Sequence, residues 1–231
     1  GRWIGPLRSP NVTASAAVFL VVYGSASGWR ERIAFVGTGA LVLLLTATRS
    51  SMVASLAGVA VLILFTRRPR ILGLTKNLWA GLIIVGAVLF GAAWLIRNPD
   101  LTGRTNVWPT YLDLWRSSPV FGVGDAGIGV AVETGRLPSV FSVAHSIFID
   151  PLARYGAVAL ALIVGVLVIV AVLGWRAARA GDATGLALAV ALIVGGLTET
   201  LFDWRYLTFQ VQLVVVAVLV ASRHAWKGEP G

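Results

Sequence analysis

The sequence predicts an all-α fold: a polytopic transmembrane helix bundle of about seven spans, with one long extracytoplasmic loop carrying short amphipathic helices. Three observations predict it. Of the 231 residues, 57% are hydrophobic and only 13% charged, too few polar groups to cover a soluble domain of this length. The apolar residues arrive in blocks of about 16–21, close to what a helix needs to cross the hydrocarbon layer. Lys and Arg are also distributed unevenly between alternate connections, as membrane orientation requires.

The spans read as residues 11–27, 33–48, 50–66, 77–96, 155–174, 183–201 and 206–222. The second and third are short and meet in a tight turn at Thr48-Arg49-Ser50. Spans one to four therefore occupy 1–96, and the polar stretch 97–154 forms the long loop. Residues 155–231 supply spans five to seven and a tail.

Orientation follows from charge. The connections WRER (29–32), TRRPRILGLTK (66–76) and WRAAR (175–179), with the tail SRHAWK, hold ten of the 19 Lys+Arg against three acids, Glu31, Asp182 and Glu229. That is a net +7 and marks the cytoplasmic side. The opposite side carries nine Arg against seven acids, a net +2 spread over many more residues. Trp29, Trp79, Trp94, Trp175 and Trp204 fall at span ends, where interfacial aromatics belong. The overall charge of +9 is thus a topology signal, and nucleic acid is not an expected partner.

With no cysteine, disulfides, thiolate metal sites and thiol nucleophiles are excluded. The chain opens GRWIGPLRSPN, without Met and without the layout of a signal peptide. It reads as the C-terminal part of a longer protein. Within the spans the most polar groups are Gln210 and Gln212. Ion-coupled transport ordinarily needs carboxylates or histidines at mid-depth, so this pattern argues against it.

Three residues are candidates for chemistry. His145 stands in SVAHSIFIDPLARYGAV, where a polar loop gives way to an apolar run. Its ring is either a headgroup-level interfacial group or a general base, since imidazole exchanges a proton near neutral pH. Arg49 is either a snorkelling side chain or a phosphate ligand, for which a planar guanidinium suits. Arg104 precedes a helix expected from about Thr105 or Asn106 to before Ser117, with Pro109 in its first turn. It is either solvated or part of a phosphate site at that helix start. Trp108, Tyr111 and Trp115 share one face, suited to lying on a membrane. His224, on the tail, is expected to be inert.

Gly122, Gly124 and Gly127 spell the dinucleotide fingerprint, but no strand precedes them in a βαβ unit. They read as a flexible or tightly turning loop. No D-x-D occurs and no second histidine or cysteine lies near His145, so a metal site is not expected. Glu199 and Asp203 either solvate a helix end, pair with Arg205 or meet substrate. Asp113, Asp125, Asp150 and Glu199 remain as acceptor-side or structural carboxylates.

Four pieces in order resemble the C-terminal part of the O-antigen ligase and polymerase superfamily of membrane glycosyltransferases. They are GPLRSPN at Gly5–Asn11, the turn Thr48–Ser50, R-x-x-x-W…P-x-x-G-x-G at Arg104–Gly124, and A-H-S at Ala144–Ser146, with Gly156 opening the next helix. The resemblance spans almost the whole chain. It implies a multi-pass protein of the bacterial cytoplasmic membrane, working on the outer face. The implied reaction takes a glycan from a polyprenyl diphosphate carrier and gives it, with inversion and without metal or cofactor, to an acceptor hydroxyl on a glycan, lipid or protein. It also implies that Arg49 and Arg104 hold the diphosphate and that His145 activates the acceptor. Two positions depart from the family pattern: His145-Ser146 replaces H-N, and Thr48-Arg49-Ser50 replaces S-R-G. A polymerase using the same site, or a membrane transporter, are the alternative activities.

Overall fold

In the computed structural model, residues 10–66, 104–197, 215–216 and 219–220 are described. Among them all regular structure is helical and no strand occurs. The order is α1 (Pro10–Ala26), α2 (Trp29–Thr46), α3 (Arg49–Thr66), α4 (Arg104–Ser117) and α5 (Gly124–Glu133). A 3₁₀ turn (Ser139–Phe141), α6 (Ile149–Arg179) and α7 (Thr184–Gly196) follow. The expected span 77–96, nearly all of span 206–222, Glu199, Asp203, Arg205 and His224 lie outside the described residues.

Among the described residues one helix, α6, is long and apolar enough to cross a membrane; α1, α3 and α7 are apolar but shorter. α6 starts six residues before the expected span 155–174 and ends five after it, taking in the WRAAR segment read as a connection, and two further boundaries differ for local reasons. The WRER segment, read as a connection, is the first turn of α2. The Arg32 amide bonds the Gly28 carbonyl at 2.8 Å, and Glu31 sits where the helix dipole favours an acid. The tight turn also lies earlier than expected. Ala47, at φ 48°, is the left-handed cap of α2 and bonds back to Leu43 and Leu44. Arg49 is consequently the first residue of α3.

The chain divides into two compact units, and the boundary crosses α6 between Val166 and Leu167. The first holds α1–α3, the C-terminal part of α6 and nearly all of α7. Its helices meet through small residues, the usual device where apolar helices must approach closely. A methyl group on Gly58 of α3 would stand 2.6 Å from the Val22 side chain of α1 and 3.1 Å from the Ala187 carbonyl of α7. Gly174 of α6 meets the Leu186 backbone of α7 in the same way. Buried almost throughout, α7 is apolar on all sides because it faces protein on all sides. In contrast, α6 leaves Val158, Leu162, Val168, Ile169 and Val172 exposed, an apolar surface that water would penalise and hydrocarbon would not.

The second unit holds α4, α5, the loop that carries His145 and the start of α6. Its core gathers Val107, Tyr111 and Leu114 of α4, Ile128 and Ala131 of α5, and Leu137, Ala144 and Ala153. The aromatic face of α4 therefore turns inward. Tyr111 is fully buried, and Trp108 and Trp115 pack on the same core. A stripe that could have lain on lipid is instead satisfied by protein, because each of its polar tips finds a carbonyl in this unit. Pro109 sits one turn further into α4 than expected, since the helix begins at Arg104.

Candidate functional site: the His145 loop

Residues 141–148 join the 3₁₀ turn to α6, and side chains drawn from distant elements hold their backbone. The Tyr111 hydroxyl donates to the Phe141 carbonyl at 3.0 Å. The Trp108 indole N–H donates to the Ala144 carbonyl at 2.8 Å, and the Ala144 amide donates to Asp150 Oδ1 at 2.9 Å. On the far side of His145, the Ile147 amide donates to the Gly196 carbonyl at 2.9 Å. Ser146 Oγ accepts the Phe148 and Ile149 amides and caps α6. Asparagine and serine are comparable N-caps, so serine at this position supplies a cap as asparagine would.

Between these fixed neighbours, half-buried His145 adopts φ 50°, in the left-handed region. For a side chain with a Cβ that conformation costs about 1–2 kcal/mol. It persists where surrounding contacts over-determine the backbone, a pattern concentrated at functional sites.

Arg154, one turn along α6 from Asp150, anchors this loop from below. Only 3% of its side chain is exposed. Its Nε donates to Asp150 Oδ2 at 3.0 Å, its Nη1 pairs with Asp125 at the start of α5, and its Nη2 donates to the Ser142 carbonyl. Asp150 thus bonds both the Ala144 amide and Arg154.

Gly122 and Gly156 sit where two chain segments cross. Both have positive φ, 71° and 74°, and each lies against the other's chain segment. A Cβ on Gly122 would meet the Arg154 carbonyl group at 2.3 Å, and one on Gly156 would meet the Val120 oxygen at 2.1 Å. The Val123 amide bonds the Ala153 carbonyl and the Ala157 amide the Pro119 carbonyl, both at 2.9 Å. This crossing breaks α6 at Gly156. Of the three glycines read as a flexible or tightly turning loop, Gly122 does turn tightly, whereas Gly124 and Gly127 lie in α5. Although Gly124 does open a helix, no strand occurs among the described residues, so the dinucleotide reading stays excluded.

The candidate residues are distributed as follows. Asp125 and Asp150 converge on Arg154, whereas Asp113 pairs with Arg116 at 2.6 Å on an exposed part of α4. Arg104 is the first residue of α4, one turn before Trp108, in the same unit as His145. Exposed at the start of α3, Arg49 belongs to the other unit. Sequence reasoning passed over Arg154. The available signal was an arginine at i+4 from Asp150 at the head of an apolar helix, a position where an unpaired charge is disfavoured. No cluster of three or more His, Cys, Asp or Glu that could hold a metal occurs among the described residues.

Among the described residues, a helix long and apolar enough to cross a membrane stands beside a left-handed histidine on a clamped loop, features that fit a membrane protein with a loop-borne polar site. The family model for O-antigen ligase matches residues 33–164, more than half the chain and all of the His145 loop, and the chain belongs to that family. Membership places it among membrane proteins of polysaccharide biosynthesis, glycosyltransferases of the ligase or polymerase type. No curated protein matches the chain.

Proposed function

We propose that this protein is a ligase that transfers a glycan from a polyprenyl diphosphate carrier to an acceptor hydroxyl, on the outer face of the bacterial cytoplasmic membrane, within a multi-pass bundle. His145 acts as general base on the acceptor, and Arg49 and Arg104 serve as ligands to the diphosphate. The acceptor oxygen forms the new glycosidic bond as the anomeric carbon–diphosphate oxygen bond breaks, with inversion. The acceptor proton passes to the imidazole, and the diphosphate leaves on its lipid.

The observation that carries this reading is the left-handed His145, clamped at the residues on both sides. Strain held in place by that many contacts is what a precisely aimed base requires. A second observation supports the arginine roles. Both Arg49 and Arg104 are the first residue of a helix, the end at which the dipole opposes a cation and free N–H groups favour an anion. A bound diphosphate would remove that conflict.

Donor turnover in a strain lacking the gene tests the reading. A ligase defect leaves finished chains on the carrier lipid. Single repeats on the acceptor would instead identify a polymerase, and solute uptake into proteoliposomes without glycosyl transfer a transporter.

A further inference from the structure

We propose that Arg154 is the positioning residue for His145, and that Asp125 and Asp150 are what fix it. This deepens the proposed function and rests on its reading of His145 as the base.

Arg154 touches three separate pieces of the second unit. One is Asp125 on α5, another is the Ser142 carbonyl in the loop, and the third is Asp150 one turn earlier on α6. Through Asp150 it also reaches the Ala144 amide. The two backbone groups so held, at Ser142 and Ala144, are those of the segment that delivers the chain into His145. Trp108 holds only the other side of Ala144. A guanidinium is the one side chain with enough N–H groups in a planar fork to serve three acceptors in different directions. Lysine, with one nitrogen on a flexible stem, cannot span them.

Burial distinguishes this ion pair from an ordinary surface pair. With 3% of Arg154 and 8% of Asp150 exposed, neither group can exchange its partner for water, so the geometry is enforced. Asp125, 45% exposed, is the open end of the chain of contacts. The glycine loop leads directly into α5 and Asp125, so its position is passed through Arg154 to the histidine. That is a physical reason for the P-x-x-G-x-G and A-H-S pieces to occur together.

The test uses the full-length protein in nanodiscs with ¹⁵N-histidine labelling. The His145 resonances are those that His145→Gln removes. Arg154→Lys should shift or broaden them in the absence of substrate. It should also lower kcat roughly 10²-fold, the loss typical of a small misplacement, with donor KM unchanged. Asp125→Asn, at the exposed end, should move both readouts in the same direction by less and guards against a fold lost through Arg154. Arg116→Met, on the exposed pair of α4, should move neither. If the fold is intact and the His145 resonances stay unmoved in both test variants, the positioning role is overturned. Moved resonances with undiminished kcat would uphold the positioning and instead refute His145 as the base.

Discussion

The indole N–H of Trp108 and the carbonyl of Ala144, 36 residues apart, share a hydrogen bond of 2.8 Å. It is the contact by which α4 grips the loop one residue before His145. It also gives the R-x-x-x-W piece a structural reason: the tryptophan holds the histidine's neighbour, and Arg104 lies one helical turn before it.

Trp108→Phe keeps most of the packed ring and deletes the donor. An unsatisfied carbonyl in a part-buried setting is expected to lower stability by about 1–2 kcal/mol. Transfer should fall more than the melting temperature suggests, because the residue before His145 loses one of the bonds that hold its backbone. Thermal melts in detergent alongside transfer rates check this; a rate loss no larger than the loss of folded protein contradicts it.

Gly156→Ala places a methyl group 2.1 Å from the Val120 oxygen, in a backbone conformation that L-residues avoid. The contacted atoms are backbone, so no side-chain rotation relieves the clash. The variant is expected to lose at least about 3 kcal/mol, among the large effects reserved for strain at special backbone angles. Ala157→Gly, one position along, should be mild. Comparing folded yields and melting temperatures of the two decides the point.

For His145 itself, stability and activity should separate. His145→Gly relieves the left-handed strain, so it should leave stability unchanged or raise it by up to about 1 kcal/mol, yet abolish transfer. His145→Gln, which hydrogen-bonds but cannot take a proton, should be equally inactive while still binding the lipid-linked donor. In the unmodified protein the rate should decline on the acid side, where a protonated imidazole can no longer accept the acceptor's proton. Substantial transfer by the glutamine variant would reduce His145 to an acceptor-positioning group.

The two arginines should not tolerate lysine. If each grips phosphate oxygens through a forked pair of N–H groups, Arg104→Lys and Arg49→Lys should each lose roughly 10²-fold in transfer, comparable with removing one oxyanion stabiliser. Near-normal rates in either would mean that residue contributes only a diffuse field.

Transfer should also survive EDTA. If the arginines neutralise the departing diphosphate, no divalent cation is needed at that step. Activity lost to the chelator and restored by Mg²⁺ or Mn²⁺ would require a metal in the mechanism.

Much of this molecule was legible from local pattern alone. The apolar blocks became α1, α3, α6 and α7, with both ends of α1 and α3 and the start of α7 within one residue of those expected and α6 overrunning its block at both ends, because helical hydrogen bonds join residues four apart and an apolar run declares its length directly. The position of His145 at the border between polar loop and helix was equally visible.

What the tertiary structure decided was direction and partnership. The aromatic face of α4 looks in sequence like a membrane-resting surface. It turns inward because Tyr111 and Trp108 find carbonyls 30 and 36 residues away. Gly122 and Gly156 are individually ordinary glycines, and only the crossing of their two segments makes a side chain impossible at either. Arg154 drew no notice in the sequence, and its role exists only because folding brings Asp125, 29 residues earlier, and Ser142, 12 residues earlier, to it. A linear sequence records what each side chain can bond, but the choice among possible partners depends on which distant groups folding buries together, where an unmet donor or acceptor is too costly to leave.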